Sequence, residues 1–497
     1  MAMPCRPPRG LLAGLLLAAL GTACKKDQPA PVCELPPPQP SALATLPDVA
    51  SPGQSQAIHL GVKVTGEAVT FDVPAGTASV TIVEQATSSA VPLTIRAGSL
   101  YYDNTAVPLY VDVAGPWSGR VYADVPMPPD SAFRFEPPPD GLTVLDPASD
   151  PSLFVYFFSS GPWTGALTMP NTSLPIPGTA PGDGVPAGTW TVTVGDWAHE
   201  CRAFPGLGCM ATTPTPSTYD LTVILKPATA PGNALRVVFY LVTVRGLTAA
   251  GAAADPDLQR LQWAMTQILA QAGIAPSFEY RDVPTEVRAR FATGVDASGA
   301  GVCGTLGQLV QLAAPGNQLN VFLVDLIKNT ATGGFSVVGL DPIVPGPASF
   351  GGTPASGVVV SLVDLGQIRG AGCPAGQLAI GTCGDDAVAA VVAHEAGHFL
   401  GLYHDTEDIG TIVDPIADTE TCFCPACKAP TPQQCQGLGA GDPPIASPYR
   451  MQVFDCLGDT QGCGGGDNLM FWLLDVDSKG LLTPGQAAVM RSSPLVE

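Results

Sequence analysis

His394-Glu395-Ala396-Gly397-His398-Phe399-Leu400-Gly401-Leu402-Tyr403-His404 holds three of the five histidines of this 497-residue chain. The string fits H-E-x-x-H-x-x-G-x-x-H, in which each fixed residue has a mechanical task. The run before it, residues 385–392 (DDAVAAVV), predicts a buried helix with two acids at its positive dipole end. Residues four apart share a helix face, so His394 and His398 point the same way, close enough to bind one ion. Gly401 can take a positive φ and turn the chain so that His404 arrives as a third ligand. Three neutral imidazoles suit Zn²⁺ and leave a fourth position for water, the arrangement of a catalytic site. Glu395, beside the first ligand, stands where it can take a proton from that water. A helix with three incidental histidines would need a chance match at five fixed positions. A metal site without catalysis is the other alternative.

A chain of this length exceeds one ordinary core, so two domains plus extras are expected. Residues 1–23 read as a signal peptide: Arg6 and Arg9, an apolar stretch over 11–20, then the small residues Gly21-Thr22-Ala23. A transmembrane anchor needs about 20 apolar residues, twice what is present. The small residues before Cys24 resemble a bacterial lipobox, although Gly21 stands where the lipobox has leucine. Cys24 would then be the lipidated first residue and the protein an outer-membrane or cell-surface lipoprotein; simple secretion is the alternative. Residues 24–57, rich in Pro, Ala and Ser, read as a tether.

Removing residues 1–23 takes away two arginines and no acid, deepening the net charge from −21 to −23. Such a surface repels phosphate backbones, which argues against nucleic acid as a partner. Fourteen cysteines in an exported chain argue for disulfides. Cys201 and Cys209 are close enough to bridge a loop, and Cys33 stands alone in the leader. Cys422-x-Cys424-x-x-Cys427, followed by Cys435, reads as disulfides behind a secretion signal, with a structural zinc as the alternative.

Between 58 and 228 short alternating runs recur: residues 68–74, 79–83, 153–158, 188–194 and 219–225. Period-2 strands with Gly/Pro punctuation and no long helical pattern predict an all-β sandwich domain. Its two histidines, His59 and His199, read as surface residues. An accessory or binding role is expected of it, with a restraining propeptide as the alternative. After a Pro/Gly joint at 227–234 the pattern changes. Residues 235–244, 277–281, 319–327 and 357–362 read as strands, and 255–272 as a helix through Leu258, Leu261, Met265, Leu269 and Ala272. This alternation, followed by the active-site helix, predicts a mixed, mostly parallel sheet in an α/β domain over 235–497. Residues 333–340 could supply an antiparallel edge strand able to pair with an extended substrate.

The extended histidine string with a downstream methionine resembles the metzincin superfamily of zinc metallopeptidases. HEAGHFLGLYHDTE is most similar to its pappalysin-like bacterial members, as are residues 414–422, Asn468-Leu469-Met470 and residues 482–491. The resemblance covers about 235–497 and implies a metzincin-like catalytic domain. It places Met470 in a turn beneath the zinc, as an apolar floor and not a ligand. It also implies that Asp414 and Asp418 lie in a segment that helps hold calcium near the cleft, with a solvated acidic loop as the alternative. Three residues depart from the pattern. Asp405 also occurs in the reprolysin branch, Glu420 stands in place of proline, and Trp472 in place of a tyrosine. The AGTWTVTVGDW segment of the sandwich weakly resembles jelly-roll modules of bacterial exported proteases. Asp475-x-Asp477-x-x-Gly480 reads as a plain turn, because Lys479 and Gln486 stand where an EF-hand needs carboxylates.

The function expected is zinc-dependent endopeptidase action on extracellular or envelope proteins, with a zinc-bound water as nucleophile and Glu395 as general base. One alternative is a lipid-anchored binding protein whose zinc domain is structural or latent. Another is a zinc hydrolase with a non-protein substrate. Membrane contact is expected only through the lipid anchor.

Overall fold

The structure, a computed structural model, describes residues 54–64, 66–88, 106–114, 120–123, 164–171, 184–198, 218–228, 233–297, 305–328, 338–407, 410, 414, 416–422, 427, 450–458, 463–475 and 478–497. The signal segment, Cys24, Cys33, the 153–158 run, His199, Cys201, Cys209, Cys303, Cys424, Cys435, Asp477 and residues 331–337 lie outside these. Among the described residues no helix is long and apolar enough to cross a membrane.

Eight strands build the N-terminal unit: β1 (Gln56–Val64), β2 (Ala68–Val73), β3 (Thr77–Ser88), β4 (Ala106–Ala114), β5 (Arg120–Ala123), β6 (Thr164–Met169), β7 (Gly188–Ala198) and β8 (Thr218–Pro227). They form two antiparallel four-stranded sheets, ordered β1-β8-β3-β6 and β2-β7-β4-β5. Alternation sets which residues face inward. Val80, Ile82 and Ala86 of β3 and Leu221, Val223 and Leu225 of β8 meet Phe71 and Trp190 from the other sheet in one apolar cluster. Glu84 sits in the same phase of β3, fully buried, with neither carboxyl oxygen hydrogen-bonded to a described residue.

The C-terminal unit is a five-stranded sheet. It comprises β9 (Ala234–Leu241), β10 (Ala275–Asp282), β12 (Leu319–Val324), β14 (Gly339–Leu340) and β15 (Val358–Ser361), ordered β10-β9-β12-β15-β14. The first four are parallel, and β14 is antiparallel to β15 through Gly339↔Val360 and Leu340↔Val359. Both faces are buried, which accounts for the unbroken apolar runs. Phe239, Val321 and Val360 face one core; Tyr240, Phe322 and Val359 face the other.

The helices of this unit include α1 (Ala249–Ala252), α2 (Pro256–Ala270), α3 (Thr285–Arg290), α4 (Thr305–Val310) and α5 (Gly384–Phe399), of which α2 and α5 cover the first face. α2 is capped by Asp255, whose side chain accepts from Asp257 N and Leu258 N, with Pro256 at its first position. α5 carries the HEAGH string and packs against α2. The expected 319–327 strand divides: β12 ends at Val324, Asp325 N donates to Thr243 Oγ1 at 2.9 Å, and β13 (Ile327–Lys328) pairs instead with β11 (Val295–Asp296).

The two acids that open α5 do more than face a helix dipole. Asp386 is fully buried and ion-paired to Arg260 of α2, and Asp385 accepts from Gly366 N at 2.6 Å. Cys383, at the N-cap of α5, is bonded to Cys373.

The two units meet closely. Val83, Ala166 and Ile224, on the outer face of the first sheet, pack with Ile343, Phe350 and Ala355. Lys226, at the end of β8, donates to Arg491 O and Ser493 O at 2.5 and 3.0 Å and to Val496 O. These carbonyls lie at the end of the C-terminal helix Pro484–Ser492 and just beyond it. Such groups lack intrahelical partners, and an ammonium satisfies them.

Candidate metal centre

α5 runs unbroken to Phe399, so His394 and His398 project from one face a turn apart. Gly401 then takes a φ of +109°, the chain reverses, and His404 returns to the same point. The three Nε2 atoms lie 3.1, 3.2 and 3.2 Å from one another. Nitrogens bound tetrahedrally at a zinc–nitrogen distance of about 2.0–2.1 Å stand roughly 3.3 Å apart, so the donor set fits that ion closely.

Each ring is oriented through its other nitrogen, the arrangement that leaves Nε2 as the ligating atom. His394 Nδ1 lies 2.7 Å from Leu469 O, His398 Nδ1 2.8 Å from Leu402 O, and His404 Nδ1 3.0 Å from Glu407 Oε2. Burial, followed by the neighbouring His404, pushes His394 down to about 3. The same causes, with His394 added, hold His398 well below its ordinary range. Both rings are therefore neutral and ready to donate a lone pair. Burial would raise Glu407, but contact with His404 outweighs it and keeps that carboxyl below its usual value.

Glu395 is buried beside these ligands. Burial pushes its carboxyl up to about 8, against the opposing pull of His404 and of the Asp341 amide. Met470 is fully buried, and a Cβ on Gly397 would come within 2.6 Å of its Sδ, so the thioether lies directly against the α5 backbone between the ligands. Its turn is pinned by Asn468, which accepts from Met470 N at 2.8 Å and exchanges two hydrogen bonds with Gln486. Trp472 donates its indole N–H to Met451 O at 2.8 Å.

Asp414 and Asp418 are placed differently from each other. Asp414 is buried and accepts from Ile416 N and Thr419 Oγ1; burial pushes it up to about 7. Asp418 accepts from Thr483 Oγ1 and Gly485 N, both at 2.8 Å, and so tethers the start of the C-terminal helix. The two do not form a donor group with a third such side chain among the described residues. Of the clustered cysteines, Cys422 is bonded to Cys456 and Cys427 to Cys463.

A cavity of about 100 Å³ lies one turn of α5 before Glu395, walled by Val338 before β14, Val391 of α5 and Leu474 and by the polar Ser361, Asp364 and Arg369. Val391 lies one turn before Glu395, and Val338 is next to Gly339, which touches Glu395. Glu407, Gly339, Asp341 and the carbonyl of Leu469 escaped the sequence reading. Only Glu407 left a signal there, as an acid three residues after a ligand. No protein-family model and no curated protein matches the chain.

Proposed function

We propose that this chain is a zinc-dependent endopeptidase acting on extracellular or envelope proteins. The observation that carries the proposal is the meeting of three oriented imidazole Nε2 atoms with an adjacent buried carboxyl that makes no ion pair with a described cation. A structural zinc has no use for an uncoordinated acid one residue from its first ligand. Bound zinc would supply Lewis acidity and a lowered pKa for water.

The chain's own residues would do the rest. His394, His398 and His404 hold the ion, and Glu407 keeps the His404 ring in its ligating orientation. With the ion's positive charge beside it favouring the ionised form, the Glu395 carboxylate would accept the proton from the attacking water and return it to the leaving amine nitrogen. β14 is the edge strand of the sheet among the described residues and lies beside Glu395, a position that suits pairing with an extended peptide backbone. The neighbouring cavity, apolar on its Val338 and Val391 side and charged at Asp364 and Arg369, would take a side chain next to the scissile bond. Three disulfides among the described residues support action in an oxidising compartment.

A mixed peptide library incubated with the zinc-loaded protein and with its Glu395→Ala variant tests the proposal. Cleavage by the wild type, lost in the variant while zinc stays bound, is expected. Absence of cleavage by a wild type holding one zinc per chain would overturn it in favour of a binding or latent role.

A further inference from the structure

Glu395 is not positioned by its helix alone. β14 crosses the face of α5 directly over it. A Cβ built on Gly339 would overlap Glu395 Oε1 and lie 2.7 Å from both Glu395 Cγ and Val391 Cγ1. Gly339 does not adopt a positive φ, so the backbone does not demand glycine there; the missing side chain does.

Two residues on, the backbone of Asp341 lies close enough to the Glu395 carboxyl to oppose the rise that burial causes in its pKa. Asp341 is itself held: its Oδ1 accepts from Ile343 N at 3.3 Å, and Ile343 is buried against Val83, Ala166 and Ile224 of the two-sheet unit. A chain of contacts therefore runs from the N-terminal unit to the acid beside the metal ligands.

We infer that Gly339 is a positioning residue for Glu395. The absent Cβ at 339 forms a seat for the carboxyl. This rests on the endopeptidase reading. A glutamate side chain has three rotatable bonds, and a shift of its carboxyl by about 1 Å costs on the order of a hundredfold in rate. Seating from above by a rigid strand removes that freedom before substrate arrives.

The competing account is simple packing, in which Gly339 only makes room for Val391. The two separate in a set of zinc-loaded full-length variants assayed with a peptide that the wild type cleaves. Gly339→Ala is expected to lower kcat about a hundredfold with KM nearly unchanged and one zinc per chain retained. Val391→Ala removes the Cγ1 atom from the clash, so Gly339→Ala/Val391→Ala should recover the thermal midpoint without recovering kcat. Val391→Ala alone gives the reference for its effect on the cavity.

The inference falls if Gly339→Ala keeps the wild-type kcat. It falls equally if the double variant regains kcat together with stability. Should Gly339→Ala not fold, the double variant decides by the same criterion. A wild type that binds zinc and cleaves nothing removes the endopeptidase reading first, and the seat's catalytic role with it.

Discussion

Arg260 and Asp386 form a two-point ion pair, Nε to Oδ1 at 2.6 Å and a terminal nitrogen to Oδ2 at 2.7 Å, joining α2 to the first turn of the helix that carries His394 and His398. Asp386 also accepts from Ala379 N at 2.7 Å, and Arg260 reaches two further carbonyls, at Pro374 and Gln377. The network fixes the start of α5 against its neighbours, and every residue downstream inherits that placement.

Breaking it from one side should be costly, because Asp386 has no exposure to water. Arg260→Met is expected to destabilise the protein by about 3–5 kcal/mol, the range for stranding a buried charge. Arg260→Lys should recover only part of this, since an ammonium cannot make the fork geometry. Urea unfolding measures both. A change under about 1 kcal/mol for Arg260→Met would mean that the pair is not the fastening described.

Glu407 should matter to metal and not to folding. Its oxygen lies 3.0 Å from His404 Nδ1. Loss of such an orienting partner typically costs about ten- to a hundredfold in metal affinity. Glu407→Gln is expected to show that loss in a chelator competition with zinc, while His404→Gln should lose far more. Equal affinity in Glu407→Gln and the wild type would refute the orienting role.

Glu84 should make the N-terminal unit sensitive to pH. Burial alone holds its carboxyl well above its ordinary value of 4.5, so it stays protonated in the fold where the unfolded chain has already released the proton. Between about 4.5 and its raised folded value, the native state therefore binds more protons than the unfolded one. Stability must fall as pH rises through that window and be fullest below it. Glu84→Gln, neutral at every pH, is expected to remove this slope and raise the thermal midpoint at pH 8 by a few degrees, about 2–4 °C per kcal/mol for a domain of this size. Parallel pH slopes in the two proteins would show that Glu84 is not the titrating group.

Much of this was written locally. The spacing of His394 and His398 is a property of the helix, and Gly401 announces the turn that brings His404 back, so the ligand set could be read without the fold. Asp255-Pro256 marks the start of α2 by capping chemistry that lies within four residues. The alternating runs of β3 and β8 and the solid apolar runs of β9, β12 and β15 likewise carry their burial in their period.

What the sequence could not determine was what lies across from each residue. Asp385 and Asp386 suit any helix start, and only tertiary packing supplied Arg260 and Gly366 as their partners. Asp418 and Thr483 are 65 residues apart in the chain, and their pairing exists only because the C-terminal helix folds back. Gly339 looks like an ordinary strand glycine until α5 is laid under it. Glu84 breaks the apolar alternation of β3 without indicating whether a cation would meet it. Helix spacing and capping act over one or two turns and are encoded where they act. Ion pairs, seats and buried carboxyls depend on contacts between distant segments, which only the assembled cores decide.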